Sequence, residues 1–305
     1  LTDGGPEVRA RIGDDGALVN PSINTQLVVA TDTLVSSVHF PAHASAEQIA
    51  TRALCVNLSD MAAMGATPRW FTLALTLEKA DPLWLAGFSR GLAKIAKEFG
   101  IALIGGDTTS GPLTISLTLL GEVSVGGALQ RDGAKAGDSI YVTGTLGDGA
   151  AGLDTLQHPG VEKDTQRLLE RFYRPQPQVQ AGQKLQGIAS ACIDISDGLI
   201  SDLGHICKAS GVSANIDSKR LPIHPEVTRR FPQQALNWAL VGGDDYQLCF
   251  TVAKSNRDRI DRLIRQGELD ATMVGKIQPK IEATFPVMVD KLSAKLNGGF
   301  DHFGH

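Results

Sequence analysis

The chain has 305 residues, 42% of them hydrophobic and 20% charged, with a net charge of -4. That length allows about two domains at roughly 150 residues each, and the ordinary soluble composition excludes a disordered or fibrous chain. Lys+Arg 29 against Asp+Glu 33 leaves no basic excess, so neither nucleic acid nor an anionic membrane is an expected partner.

Val28 and Val29 sit in an apolar run over Gln26 to Val35 that reads as a buried strand leading into Asp32. Ser45 reads as a helix N-cap and Ala46 to Met64 as its helix, stopped by Gly65 and Pro68. A strand is expected at Trp70 to Leu77, a helix at Pro82 to Phe99, a short strand at Ile101 to Ile104 and another at Leu113 to Val123. The polar segment Arg131 to Asp138 marks a boundary between domains 1–135 and 136–305. Beyond it come a strand Ser139 to Thr143, a glycine-rich turn Gly144 to Gly152 and a surface loop Gln157 to Gln166. Helices are expected at Pro177 to Ala189, Asp197 to Ser210 and Gln234 to Leu240, with strands at Ala191 to Ile195, Tyr246 to Val252 and Met273 to Ile277. This mixture indicates an α/β domain followed by an α+β domain.

Cys55, Cys192, Cys207 and Cys249 form no C-x-x-C pair, which argues against zinc or a disulfide scaffold and for a reducing cytoplasm. No apolar run approaches the ~20 residues of a bilayer span. Gly147-Asp148-Gly149-Ala150-Ala151-Gly152 matches G-x-G-x-x-G after a strand, but the second strand and acidic residue of a dinucleotide site do not follow, so packing at a helix start is the better reading. His39 and His43 flank Pro41 without a third soft ligand, which argues against zinc.

The aspartates carry more information. Asp14 and Asp15 are adjacent, and paired carboxylates repel unless a cation or solvent intervenes. Asp32 stands between Thr31 and Thr33, an all-oxygen surrounding suited to Mg²⁺. Asp60 lies in a helix apolar on nearly every side, three residues from Asn57 and near a C-terminus whose dipole disfavours anions. Asp107 follows Gly105 and Gly106, and glycines permit close approach of backbone to phosphate. Asp194, Ser196 and Asp197 form a second such group, in which Ser196 or Asp197 could equally be a helix N-cap. Gly242-Gly243-Asp244-Asp245 repeats the pattern. Acidic motifs at strand ends in both halves indicate a cleft holding several divalent cations and a polyanionic substrate, with Mg²⁺ and a nucleoside triphosphate the natural choice.

Ile12-Gly13-Asp14-Asp15, Thr31-Asp32-Thr33, the run Val56 to Ala66, Gly105 to Thr109, Asp194 to Leu199 and Gly242 to Tyr246 occur in the order and spacing of the thiamine-monophosphate kinase family, which this chain resembles from about Ile12 to Phe303. The resemblance implies a two-domain aminoimidazole ribonucleotide synthetase-like fold: an N-terminal α/β domain whose sheet pairs in a dimeric barrel, and a C-terminal mixed-sheet α+β domain. It implies ATP-dependent phosphorylation of thiamine monophosphate in a homodimer, with several Mg²⁺ ions. By matching positions, Asp15, Thr31, Asp32, Asp60, Asp107, Asp194 and Asp197 would hold metal, with Asp32, Asp60 and Asp107 at the centre of catalysis. Gly106, Asp107, Arg131 and Ser196 would meet ATP, and His39, Asp244 and Phe300 the thiamine phosphate. Asp244 stands where many relatives have Glu. The rivals are another ATP-using synthetase of the superfamily, such as a selenophosphate or purine-pathway enzyme, and a non-enzymatic acidic metal-binding protein.

Overall fold

A computed structural model describes residues 7–10, 12–158, 165–282 and 285–293. The chain divides into two compact units, one of residues up to Met61 with Ala66–Ala128, the other of Ala62–Gly65 with the residues from Leu129 on.

In the first unit, β1 (Val8–Ala10) and β2 (Leu18–Val19) form a small antiparallel pair. Then follow β3 (Thr25–Val35), α1 (Ala46–Ala63), β4 (Thr67–Leu77), α2 (Pro82–Phe99), β5 (Ala102–Ser110) and β6 (Thr114–Ser124). The four-stranded sheet runs β3-β6-β4-β5, antiparallel except for β4 and β5, whose parallel pairing uses α2 as the crossover. Ser45 and Gln48 cap α1 reciprocally: the Gln48 N–H donates to Ser45 Oγ at 3.3 Å and the Ser45 N–H to Gln48 Oε1 at 3.0 Å. Asp81 accepts from the Leu83 and Trp84 amides at the start of α2, Pro82 fills its first position, and Gly100 ends it in a left-handed conformation. Helix α1 is buried around most of its circumference, from Ile49 and Ala50 to Leu58 and Met61, and Leu117 and Leu119 of β6 are fully buried.

The second unit contains β7 (Ser139–Thr143), α3 (Asp148–Gln157), α4 (Gln166–Tyr173), α5 (Val179–Leu185), β8 (Ala189–Asp194), α6 (Leu199–Ser210) and β9 (Ser213–Ile216). It continues through α7 (Pro225–Arg230), α8 (Ala235–Val241), β10 (Leu248–Val252), α9 (Arg257–Arg265), β11 (Ala271–Gln278), β12 (Val287–Val289) and β13 (Leu292–Ser293). Its sheet runs β13-β12-β9-β11-β7-β10-β8, with β12 and β9 the parallel pair. Strands β7 and β10 are buried along their whole length, as central strands covered on both faces must be. Ile140, Val142, Ile193, Leu203, Ile206, Cys249 and Val274 belong to the core beneath this sheet. No helix among the described residues is long and apolar enough to cross a membrane.

An α/β unit and a mixed-sheet unit are thus present, with several differences from the sequence reading. Strand β3 is an edge strand, half exposed, rather than a buried one. Strand β5 does not stop at Ile104 but carries Gly105 to Thr109 in its pairing with β4, so Asp107 lies within a strand. The glycine-rich turn after β7 ends at Gly147, where α3 starts. Neither Ser196 nor Asp197 caps α6, whose N-cap is Gly198. Helices α4, α7 and α9 and strand β9 have no counterpart in the sequence pattern, because their short, charge-rich or brief apolar stretches carry little periodicity.

Candidate active site

In the first unit the alternation of β3 sorts its residues onto two faces. Thr31 and Thr33 point to the exposed face, where their hydroxyls pair with Thr118 at 2.8 Å and Ser116 at 2.7 Å on β6. Asp32 takes the opposite side, half-buried. Its backbone N–H, on an edge strand, donates to Asn57 Oδ1 of α1 at 3.1 Å. Asn57 is fully buried and its Nδ2 donates to the Ala53 carbonyl at 2.8 Å, so both ends of the amide are used. Asp60 follows one turn later on the same helix, also half-buried.

The loop after β3 carries His39. Its Nδ1 accepts the Val35 N–H at 3.0 Å. A ring whose Nδ1 accepts carries its neutral-state proton on Nε2, which makes His39 an N–H donor suited to a phosphate oxygen. Arg52, only 2% exposed, donates from Nε to the His39 carbonyl at 2.9 Å. Asn57 and Arg52 of α1 therefore hold the strand and loop that bear Asp32 and His39. Sequence reasoning assigned neither a role, although an arginine inside the apolar run Ala50 to Val56 was a signal.

Gly106 is Leu73's register partner across the β4–β5 pair. A Cβ there would fall on the Leu73 carbonyl oxygen, so only glycine permits the approach. Asp107, exposed, pairs in register with Ala74, which pairs with Ser116, the partner of Thr33. Asp107 thus shares the hydroxyl-lined face of Thr31 and Thr33, whereas Asp32 shares its face with Leu117 and the α1 side. Asp14 and Asp15 are exposed, linked by the Asp15 N–H to Asp14 Oδ1 at 3.1 Å.

In the second unit three turns interlock. Asp194, 6% exposed, ends β8, and Ser196 and Asp197 are half-buried in the turn that follows. The amides of Asp197 and Gly198 donate to Asp202 Oδ2 at 3.0 and 3.1 Å, so Asp202 of α6 closes its own helix start. Burial, then the charges of Asp194 and Asp197, push the Asp202 carboxyl up to about 8. The turn before β10 lies alongside: the Asp244 N–H donates to the Ser196 carbonyl at 2.9 Å and the Tyr246 N–H to the Ile195 carbonyl at 2.8 Å.

Asp245, 3% exposed, accepts the Gly147 N–H at 2.7 Å on Oδ2 and the Gly149 N–H at 3.0 Å on Oδ1. Burial pushes its carboxyl up to about 7 against the opposing pull of those two amides. A protein carboxylate therefore already fills the N-terminus of α3 that the G-x-G-x-x-G pattern would have offered to a pyrophosphate. Asp148 is 1% exposed and meets Arg167 at 2.8 Å, Arg171 at 3.4 Å and the Thr145 hydroxyl at 2.6 Å. Burial opposes its ionisation, but the hydrogen bonds from Arg167 and Thr145 and the Arg171 charge prevail and hold its carboxyl below the usual range.

Arg131 is exposed, its carbonyl accepting from Ser210 Oγ at 3.2 Å. Phe300 lies outside the described residues. Among the described residues, no three histidine, cysteine or carboxylate side chains form a metal-coordinating group. The donor set is nevertheless of the right chemistry for Mg²⁺: carboxylates and threonine hydroxyls, all hard oxygens. Asp194 and Asp197 also add, after burial, to the upward push on the Asp202 carboxyl, a repulsion that a cation would relieve.

Residues 13–123 match the model of the AIR synthase related protein, N-terminal domain, and residues 135–285 that of its C-terminal domain. The chain is 47% identical over 307 residues to the thiamine-monophosphate kinase of Salmonella typhimurium, covering 97% of this chain and 93% of that protein. Among solved structures it is similar to the thiamine-monophosphate kinase of Stenotrophomonas maltophilia K279a, with a TM-score of 0.87, 44% identity and coverage of 95% and 93%. It is also similar to AaThiL complexed with AMPPCP and TMP, with a TM-score of 0.83, 32% identity and coverage of 96% and 92%.

Proposed function

The chain belongs to the thiamine-monophosphate kinase family of AIR synthase related proteins, and from that premise we propose how its residues divide the work. It is a kinase that uses ATP to phosphorylate thiamine monophosphate to the diphosphate. The observation that carries this is similarity along nearly the whole of both chains to relatives with that activity, one of them held with an ATP analogue and TMP. These relatives displace the readings as another synthetase or as an acidic metal-binding protein.

The residue assignments are ours. Asp15, Thr31, Asp32, Asp60, Asp107, Asp194 and Asp197 would hold Mg²⁺, supported by their oxygen-only chemistry. Bound there, Mg²⁺ would screen the charge of the donor and acceptor phosphates. Gly106, Asp107, Arg131 and Ser196 would contact ATP. His39, Asp244 and Phe300 would contact thiamine monophosphate, with His39 presenting Nε2–H because Val35 occupies Nδ1.

The acceptor is itself a phosphate anion, so no strong base is required to activate it. The task is to align two polyanions in line and to keep the attacking oxygen in reach. Direct transfer without a phosphoenzyme follows as the mechanism. Product analysis with ATP, Mg²⁺ and thiamine monophosphate, with free thiamine as control, tests the reaction: diphosphate formed only from the monophosphate is expected. A protein-bound phosphate trapped from labelled ATP without acceptor would overturn direct transfer.

The active species we assign is a homodimer joined through the first unit. Support comes from the edge position of β3 and from Leu27 and Val29, 41% and 60% exposed on it. A monomeric mass by light scattering would refute this. The buried thiols of Cys192, Cys207 and Cys249, all raised by burial, suit a reducing cytoplasm.

A further inference from the structure

The turn Gly242 to Gln247 contains two non-glycine residues in the left-handed region, Asp244 at φ 69 and Tyr246 at φ 50. Such conformations cost free energy and persist only where the surroundings over-determine them, typically at ligand clamps. Here the surroundings are explicit. The Asp244 and Tyr246 amides are held by the Ser196 and Ile195 carbonyls, and the Ile195 N–H returns to the Gln247 carbonyl at 2.7 Å. Asp245 between them is pinned by the two amides at the start of α3. Gly149 completes the fit, since a Cβ there would fall on the Asp244 carbonyl. The backbone bearing Asp244 is therefore fixed on both sides.

The side chain is held as well. The left-handed turn at Tyr246 brings its hydroxyl back to donate to Asp244 Oδ1 at 3.1 Å. A phenol is a neutral donor, so this contact orients the carboxylate through a directed hydrogen bond. A carboxylate held in one orientation is suited to accept from the amino group of an aminopyrimidine or to face the positive charge of a thiazolium.

We propose that Tyr246 is a positioning residue for substrate specificity: by fixing the Asp244 carboxylate it sets recognition of the heterocyclic, non-phosphate part of thiamine monophosphate. This rests on the assignment of Asp244 to that substrate. The residue's aromatic bulk is not what the role requires; its hydroxyl is. Tyr246→Phe removes that hydroxyl and keeps the ring.

The test measures equilibrium binding of thiamine monophosphate and, separately, of a non-hydrolysable ATP analogue to the full chain, for wild type, Tyr246→Phe, Asp244→Ala and the double variant. Tyr246→Phe is expected to weaken thiamine monophosphate binding roughly ten-fold, the scale of one hydrogen bond to a charged group. ATP-analogue binding and the melting temperature should be unchanged, and Tyr246→Phe should have no further effect on top of Asp244→Ala. Equal weakening for both ligands would indicate general loosening of the Ser196 turn and overturn the proposal. So would loss with Asp244→Ala but not with Tyr246→Phe, which would leave the Asp244 assignment standing. No loss with Asp244→Ala would remove that assignment and the proposal together. If Tyr246→Phe does not fold, Asp244→Asn serves: it keeps an oxygen to accept from Tyr246 but loses the charge, and unchanged thiamine monophosphate affinity would overturn the proposal.

Discussion

Replacing Gly106 with alanine tests how β5 delivers Asp107. On the observed backbone the new Cβ would fall on the Leu73 carbonyl oxygen, and would lie 2.9 Å from the carbonyl carbon and 3.0 Å from the nitrogen of that residue. Comfortable carbon contacts need about 3.5 Å or more, and both clashing parties are backbone, so no side-chain rotation relieves the overlap. β5 must retreat from β4 by on the order of 1 Å at the point where Leu73 and Gly106 pair. Overpacking of this kind costs about 1–3 kcal/mol. For a cooperative unit of this size each kcal/mol lowers the melting temperature by about 4 °C, so a fall of roughly 4–12 °C is expected. The same displacement passes directly to Asp107, and if Asp107 serves catalysis as we propose, misplacing it by about 1 Å should cost on the order of 100-fold in kcat. Thermal melts by circular dichroism and steady-state kinetics at saturating ATP and thiamine monophosphate read the two effects. A variant with wild-type melting temperature and kcat within two-fold, roughly 0.4 kcal/mol, would refute the claim that this contact sets the strand.

Asp60→Asn should lower turnover by orders of magnitude while the fold persists, because the half-buried side chain keeps its volume; near-normal turnover would remove Asp60 from the proposed site. Asp148→Asn should destabilise the second unit by about 3 kcal/mol at neutral pH, since it breaks a buried carboxylate away from Arg167 and Arg171. The sign with pH follows from a depressed folded-state value. The Asp148 contribution is fully present above the ordinary carboxylate range and is lost as pH falls through the folded value. The stability gap between wild type and Asp148→Asn in denaturant melts should therefore narrow in acid; a gap that widens there would contradict the pairing.

Much of the fold was legible where local signals agreed with tertiary packing. The expected bounds of helix α2 agree with its caps, Asp81 before Pro82 at the start and Gly100 at the end. The second half of strand β5 is hidden in the sequence because Gly-Gly-Asp-Thr-Thr reads locally as a loop, and only pairing with β4 keeps it extended. Helix α4 is masked in the sequence because Arg167 and Arg171 face the buried Asp148 rather than solvent, so charge on its inner face interrupts the apolar stripe. At the site, Asp32, Asp60 and Asp194 stood out since a carboxylate inside an apolar run demands an explanation. Arg52, Asn57, Asp202 and Asp245 did not, because most of their partners are backbone groups of residues distant in sequence or hidden in a turn.

The long antiparallel partnership of β3 with β6 has a consequence for synthesis. Ser22 and Glu122, hydrogen-bonded beside the open end of that ladder, are 100 residues apart. At translation rates of about 5–20 residues per second, β3 leaves the ribosome roughly 5–20 s before its partner exists. Through that interval its hydrogen-bonding edges and its apolar Leu27 to Ala30 segment are unprotected. Closing so large a loop is slow relative to local helix formation. The nascent first unit thus passes through a stage in which an apolar strand waits unpaired, and substitutions that raise the apolarity of β3 should lower soluble yield before they affect the finished enzyme.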